Sequence, residues 1–181
     1  MTQYISILRG INVSGQKKIV MKELKSLYES LGFENVLTYI QSGNVIFDSD
    51  IDQVADIQKI IEDAIKTKYN FEVPVDIRTL NEFEKVLANL PFGEVDLEAD
   101  GTKMLITFLS QQPDKSAVNR LMAYVKAPEK LVLGDKCIYL HCPNGYGKTK
   151  LSNVFIEKKL DVLATTRNLK SVNKLCELAR W

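Results

Sequence analysis

The stretch VLTYIQSGNVIFD, residues 36–48, decides how the first half of the chain folds. Residues 36–40 and 44–48 are rich in β-branched and aromatic side chains, and Gln41-Ser42-Gly43 separates the two runs. Two β-rich runs joined by a few residues that include glycine are typical of a β-hairpin. The sequence therefore predicts two antiparallel strands that turn at residues 41–43.

The segments on either side of this hairpin complete a β-α-β-β-α-β unit. Residues 3–8 alternate between two faces, as do residues 73–77, and both patterns predict strands. Apolar residues recur at helical spacing within 21–31 and again within 54–65, which predicts two helices. Residues 1–80 are thus expected to form a ferredoxin-like α+β subdomain. Its four-stranded antiparallel sheet should have the order 4-1-3-2, with both helices on one face.

The remaining residues, 81–181, repeat this order of elements less completely. A connecting helix over 83–90 and an acidic loop over 94–100 come first. The patterns then predict a strand at 104–109, a helix at 116–125, a hairpin at 131–142, and helices at about 151–160 and 169–180. A helix stands where the fourth strand would be, so we expect a second, incomplete α+β subdomain.

The composition excludes several classes of protein. With 181 residues, 45% of them apolar and 26% charged, the chain is neither disordered nor a disulfide scaffold. No apolar run is long enough to span a membrane, and the start MTQYISILRG lacks a basic leader segment, so we expect a cytoplasmic protein without a membrane partner. Cys137, Cys142 and Cys176 contain no C-x-x-C pair and indicate reduced thiols, with no metal or cofactor expected.

Charge is unevenly distributed although the net charge is only +1. Residues 48–100 carry 5 basic and 14 acidic side chains, whereas residues 136–181 carry 9 basic and 3 acidic ones. The basic segment is either an anion-binding surface or a region that neutralises the acidic one. Nucleic-acid binding is not favoured, because it requires a net basic domain and, on this topology, exposed aromatic rings on the central strands.

The predicted topology brings two polar loops together. In a 4-1-3-2 sheet the end of the first strand and the hairpin turn lie at the same edge. The loop after the first strand also leads into the first helix, whose free N–H groups and dipole favour anions. The predicted site for a phosphate or carboxylate consists of Arg9, Asn12, Lys17, Lys18, Gln41, Ser42 and Asn44. The alternative is that the glycines make tight turns, the Asn side chains cap backbone groups and the lysines are solvated.

A second set of candidate ligands lies near the C-terminus. Gly147-Lys148-Thr149 resembles the end of a P-loop, but Cys142 stands where the motif requires glycine, so we exclude a Walker A motif. Lys148 and Lys150 remain candidate anion ligands beside the helix start that follows them. His141 and Cys142 are consecutive in a predicted strand and point to opposite faces, so they are not a catalytic dyad.

Arg167 and Asn168 complete the candidate set. Thr165-Thr166-Arg167-Asn168 contains good N-caps and precedes the last predicted helix. The chain has only five Arg against nineteen Lys, and lysine cannot replace the planar guanidinium fork at a bidentate site. We therefore expect Arg167 to point inward, toward a buried acceptor or a ligand in the cleft between the halves.

Four segments carry a resemblance to a known family. They are Leu8-Arg9-Gly10-Ile11-Asn12-Val13, Tyr39-Ile40-Gln41-Ser42-Gly43-Asn44-Val45, Pro143-Asn144-Gly145 with Lys150-Leu151-Ser152-Asn153, and Ala164-Thr165-Thr166-Arg167-Asn168 with Val172 and Lys174-Leu175. In these segments the chain resembles a bacterial family known as domain of unknown function 1697. The resemblance implies a cytosolic α+β protein related to the ferredoxin-like plait and no particular activity. It also leads us to expect Trp where Leu169 stands.

Three functions agree with these observations, and the sequence does not decide whether the protein is an enzyme. The first, which the clustered polar loops favour, is binding of a small anionic ligand or nucleotide. The second is an interaction or assembly module whose sheet faces pack on each other or on a second copy of the chain. The third, a nucleic-acid-binding module, is favoured least.

Overall fold

Two four-stranded antiparallel sheets and seven α-helices make up the computed structural model, which describes residues 1–180. The described chain divides into two compact units, one with residues 1–83 and 175–180, the other with residues 84–174. The division into subdomains 1–80 and 81–181 expected from the sequence stays a prediction.

The first unit contains the β-α-β-β-α-β order expected from the sequence. Its elements are β1 (Thr2–Leu8), α1 (Met21–Ser30), β2 (Glu34–Tyr39), β3 (Asn44–Ser49), α2 (Val54–Tyr69) and β4 (Val75–Thr79), with α3 (Leu80–Ala88) directly after them. The strand order is β2-β3-β1-β4, and every neighbouring pair is antiparallel. The predicted 4-1-3-2 order is therefore confirmed.

Successive side chains of β1 point to opposite faces of this sheet, and both faces are buried. Tyr4 and Leu8 belong to the apolar cluster formed with α1 and α2, while Ile5 and Ile7 are buried on the opposite face. On the helix side the Ser6 hydroxyl lies 2.9 Å from the Tyr28 hydroxyl of α1. Burial raises the pKa of Tyr28. This hydrogen bond satisfies a phenol that would otherwise be costly to bury.

The second unit repeats the same sheet order. Its elements are α4 (Leu97–Asp100), β5 (Met104–Leu109), α5 (Lys115–Met122), β6 (Lys130–Leu133), β7 (Cys137–His141), a 3-10 turn (Tyr146–Lys148), α6 (Asn153–Leu160), β8 (Ala164–Asn168) and α7 (Leu169–Ala179), of which α7 continues into the first unit. The order is β6-β7-β5-β8, again antiparallel throughout. The sequence-based expectation of an incomplete second half is therefore wrong.

The missing element was β8, which the sequence suggested was a helix start. Thr166 lies opposite Thr107 of β5, and their hydroxyls are 2.8 Å apart. β-branched residues favour such a pleated, half-buried position. Only Asn168 acts as the predicted cap, because its side-chain oxygen accepts a hydrogen bond from the Ser171 N–H at 2.8 Å.

The acidic connector also differs from the expected solvated loop. Its residues 97–100 form α4, a single helical turn, because the Asp96 side chain accepts hydrogen bonds from the N–H groups of Glu98 and Ala99. Farther along, Glu98 pairs with Lys170 of α7 at 3.1 Å, at an exposed position. Within residues 1–180, no helix is long and apolar enough to cross a membrane.

Candidate functional site

The loop that follows β1 contacts the β2–β3 hairpin, as the topology predicts. The Leu8 N–H donates to the Gly43 carbonyl at 2.8 Å, and the Asn12 side chain donates to the Gln41 carbonyl at 2.8 Å. Gly43 has a φ of +83° and is packed so closely that a Cβ there would lie 2.7 Å from Cδ1 of Ile11. The predicted proximity of these two segments is confirmed.

Asn12 fixes the shape of the loop. Besides its bond to Gln41, its Nδ2 donates to the Ile19 carbonyl and its Oδ1 accepts from the Ile19 N–H, both at 2.9 Å. Asn44 is fully buried in the hairpin, where its Nδ2 donates to the Tyr39 carbonyl and to the Ser42 hydroxyl. Both amides therefore hold backbone in place, which is the structural alternative considered for them.

An open groove of about 570 Å³ lies over this loop. Its lining consists of Asn12, Gly15, Lys18, Ile19, Val20, Met21, Lys22 and Gln41. It thus combines three of the predicted site residues, Asn12, Lys18 and Gln41, with the first residues of α1. Lys22 was missed from the sequence, although its place in the first turn of the predicted helix was a usable indication.

The groove lining carries positive charge, and the acidic Glu23 lies next to it in the first turn of α1. Within residues 1–180, no acidic side chain lines the groove, whereas Lys18 and Lys22 do and both are exposed. The helix N-cap is Val20, which has no side-chain oxygen, and no described side chain caps α1. Free N–H groups in the first helical turn and the helix dipole add to the attraction for an anion.

Four predicted site residues are not part of the groove lining. The Lys17 Nζ donates to the Glu72 carbonyl at 2.7 Å, and the Arg9 N–H pairs with the Pro74 carbonyl beside β4. Ser42 and Asn44 belong to the hairpin turn described above. The groove lining therefore contains two lysines and not the guanidinium of Arg9, whose role as a ligand stays a prediction.

The candidate residues of the second unit belong to different elements, and their role as ligands stays a prediction. Lys148 lies exposed in the 3-10 turn, and the Nζ of Lys150 lies 4.8 Å from the centroid of the Tyr124 ring. The start of α6 is already capped, because the Ser152 hydroxyl accepts from the Phe155 N–H. Since β7 is antiparallel to both β5 and β6, the exclusion of a P-loop stands.

Arg167 points inward, as expected. This residue of β8 is only 9% exposed and lies opposite Ile106 of β5. Its Nη1 donates a hydrogen bond to the Thr166 carbonyl at 3.0 Å. Burial lowers the pKa of Arg167 to about 10, which still leaves the guanidinium charged at neutral pH. The sequence-based expectation of an inward side chain is confirmed, and its role as a ligand stays a prediction.

A second buried arginine was missed by the sequence analysis. Arg78 of β4 forms two hydrogen bonds with the Asp76 carboxylate, from Nε at 2.8 Å and from Nη2 at 3.2 Å. Arg78 lies opposite Ile5 of β1, just as Arg167 lies opposite Ile106 of β5. The available indication was spacing, because residues two apart in a strand lie on the same face.

The described thiols and buried aromatic side chains bear on three other kinds of chemistry: thiol reactivity, metal binding and stacking on nucleic-acid bases. Burial raises the pKa of Cys142, so its reactive thiolate form is disfavoured. Among residues 1–180, no group of three or more His, Cys, Asp or Glu could hold a metal ion. Tyr4 and Phe47 are buried and pack on each other with ring centroids 5.9 Å apart, which leaves them unable to stack on nucleic-acid bases.

These features describe a class, an α+β protein with two antiparallel sheets of the same order and a cationic groove at one sheet edge. Residues 1–139 match the family described as Protein of unknown function (DUF1697), and the chain belongs to this family. It is similar to the solved structure of conserved bacterial protein SP0830 from Streptococcus pneumoniae, with 29% identity, 98% of each chain covered and a TM-score of 0.76. No curated protein matches.

Proposed function

We propose that the chain binds a small anionic ligand, bearing a phosphate or carboxylate, in the groove at the start of α1. The observation that carries this proposal is the combination of Lys18, Lys22 and an uncapped helix start around one open groove. Asn12 makes the groove rigid by tying the loop to the hairpin. Rigid donors lose less conformational entropy when a ligand binds than mobile ones do.

The lining suggests how such a ligand is oriented. Its anionic group lies against the first-turn N–H groups of α1 between the two lysines, because charge and dipole act together there. The rest of the ligand lies against the apolar side chains of Val20 and Met21, which also line the groove. Phosphorylated metabolites and nucleotides have this division into charged and less polar parts.

Thermal shift measurements across nucleotides and phosphorylated or carboxylated metabolites test the proposal. A ligand at 100 times its Kd stabilises the folded state by about 2.7 kcal/mol, so a binder at millimolar concentration raises the melting temperature. Lys18→Gln and Lys22→Gln should each weaken binding roughly tenfold, because each removes a charge-assisted hydrogen bond.

Lys25→Gln is the matched control for these variants. Lys25 lies on the same helix and is exposed, but it is not part of the groove lining and pairs with Glu29 at 3.9 Å. The Lys25→Gln variant should therefore bind the ligand as tightly as the unaltered protein does. Absence of a shift with every compound at millimolar concentration, or an equal loss of binding in all three variants, would contradict the proposal.

A second candidate function is assembly through β2. This strand lies at the edge of its sheet, and Leu37 and the adjacent Ile40 are 40% and 45% exposed. Exposed sheet edges with apolar side chains pair readily with another strand. Sedimentation equilibrium at high concentration tests this function, and a strict monomer that Leu37→Lys leaves unchanged would contradict it.

A further inference from the structure

Two lysines share one pair of aromatic rings in the second unit. Tyr124 follows α5, Phe155 lies in α6, and their rings meet edge to face with centroids 5.1 Å apart. The Nζ atoms of Lys150 and Lys159 each lie 4.8 Å from the Tyr124 centroid. They lie 5.8 Å and 5.5 Å from the Phe155 centroid. All four distances are within the range of cation–π attraction.

This arrangement concentrates positive charge without neutralising it. Both ammonium groups are equally distant from the Tyr124 centroid, so they can be no farther apart than twice that distance. Within residues 1–180, neither Lys150 nor Lys159 has a carboxylate within ion-pair distance. Each ammonium group attracts an anion placed near the Tyr124 ring, and their attractions add.

The Tyr124 hydroxyl adds a third donor. The Lys159 Nζ donates to the Tyr124 oxygen at 3.3 Å, so the hydroxyl hydrogen must point elsewhere. No described residue accepts that hydrogen. Two ammonium groups without a carboxylate partner among residues 1–180 and one O–H therefore lie around the same ring. The rings restrict both lysine side chains, which lowers the entropy that binding would otherwise remove.

We propose that Lys150, Lys159 and the Tyr124 hydroxyl form a second anion site, separate from the groove at α1, which binds a phosphate group. A doubly charged phosphate neutralises both ammonium groups, whereas a single carboxylate neutralises only one. Lysine binds phosphate as a point charge and does not need the fork geometry that a planar carboxylate matches in arginine. The phosphate belongs either to free phosphate or to a phosphomonoester, and the test separates these sources.

Amide NMR titrations with inorganic phosphate, pyrophosphate and AMP, at an ionic strength held constant with chloride, test the site. Apart from shifts at the α1 groove, residues 12–22 and 41, a separate set of shifts should concentrate at residue 124 and residues 150–159. Lys150→Gln and Lys159→Gln should each raise the Kd roughly tenfold or more, because each loses a charge-assisted hydrogen bond. Tighter binding of inorganic phosphate than of AMP identifies free phosphate as the ligand, and tighter binding of AMP identifies a phosphomonoester.

Lys158→Gln is the matched control. Lys158 precedes Lys159 on α6 and is exposed, and its substitution changes the net charge by the same amount. Its Kd should change less than twofold. An equal effect of all three substitutions would show diffuse electrostatic attraction and overturn the proposal, as would shifts that spread over the whole molecule. The double variant Lys18→Gln/Lys22→Gln should leave this binding unchanged, which separates the site from the groove at α1.

Discussion

The side chain of Asn12 donates a hydrogen bond to the carbonyl of Gln41 at 2.8 Å, although 29 residues separate them in the chain. The same side chain holds Ile19 through its N–H and its carbonyl. One residue therefore joins the loop after β1, the start of α1 and the β2–β3 hairpin. The stability of the loop and the shape of the proposed groove depend on the same three hydrogen bonds.

Asn12→Ala should destabilise the protein by about 1 to 3 kcal/mol, because it leaves backbone groups of Ile19 and Gln41 without their partners. Urea unfolding measures the change in the free energy of unfolding. Lys18→Gln, in the same loop but exposed, should change it by less than about 0.5 kcal/mol. Equal stability of Asn12→Ala and the unaltered protein would show that water replaces these bonds without loss.

Alanine substitutions at Gly43 and Gly15 distinguish two costs of adding a side chain, backbone strain and steric overlap. Both glycines have a left-handed backbone, with φ of +83° and +74°, which costs alanine about 1 to 2 kcal/mol. A Cβ at Gly43 would also lie 2.8 Å from Cβ of Leu8, whereas one at Gly15 would have no atom within 4 Å. Gly43→Ala should therefore be less stable than Gly15→Ala by about 1 to 3 kcal/mol in thermal unfolding, and equal losses would refute the close packing of the hairpin.

Hydrophobic periodicity predicted the first sheet and most of the second, and it failed at β8 for a physical reason. Only Ala164 among its five residues is apolar, and the Thr and Asn residues that follow favour helix caps as well as strands. What selects the strand is pairing with β5, as in the hydroxyl contact between Thr107 and Thr166, which are 59 residues apart. Such a contact leaves no local pattern in the sequence.

The candidate site shows the same division between topology and side-chain detail. Strand order placed the β1 loop beside the hairpin, and this followed from the sequence. The directions of individual side chains did not, because they depend on local backbone conformation. Lys17 has a φ of +46° and bonds the Glu72 carbonyl, while Lys18, the next residue, lines the groove.

Tyr28→Phe should change how stability depends on pH. Burial raises the pKa of the Tyr28 phenol in the folded state above its ordinary value near 10. Above about pH 10 the unfolded chain loses this proton while the folded protein keeps it, so stability falls as pH rises. Removing the hydroxyl eliminates this contribution, and the variant should lose stability less steeply in urea unfolding above about pH 10.

The same substitution has a cost at neutral pH, which serves as its internal control. The Ser6 hydroxyl loses its 2.9 Å partner, although a longer bond to the Val45 carbonyl at 3.4 Å remains. Tyr28→Phe should therefore be about 0.5 to 1.5 kcal/mol less stable at pH 7. Parallel stability profiles for the two proteins above about pH 10 would contradict the assigned pKa shift.

A structural role and a ligand-binding role of Arg167 predict different effects of Arg167→Ala on stability. Because its guanidinium is buried and bonds the Thr166 carbonyl, Arg167→Ala should cost about 1 to 3 kcal/mol of stability. Arg167→Lys keeps the charge but loses the planar fork and should also be destabilised. The exposed Arg120→Ala, measured in the same urea titrations, should change stability by less than about 0.5 kcal/mol.

Arg167→Met completes this series, because it removes the charge while retaining much of the side-chain volume. Replacing a buried charge by an apolar side chain of similar size costs less than truncating it, so Arg167→Met should be more stable than Arg167→Ala. This order of stability indicates that Arg167 packs and organises β8. Unchanged stability in Arg167→Ala, together with lost binding of a ligand found in the thermal shift screen, would instead assign the guanidinium to a binding site.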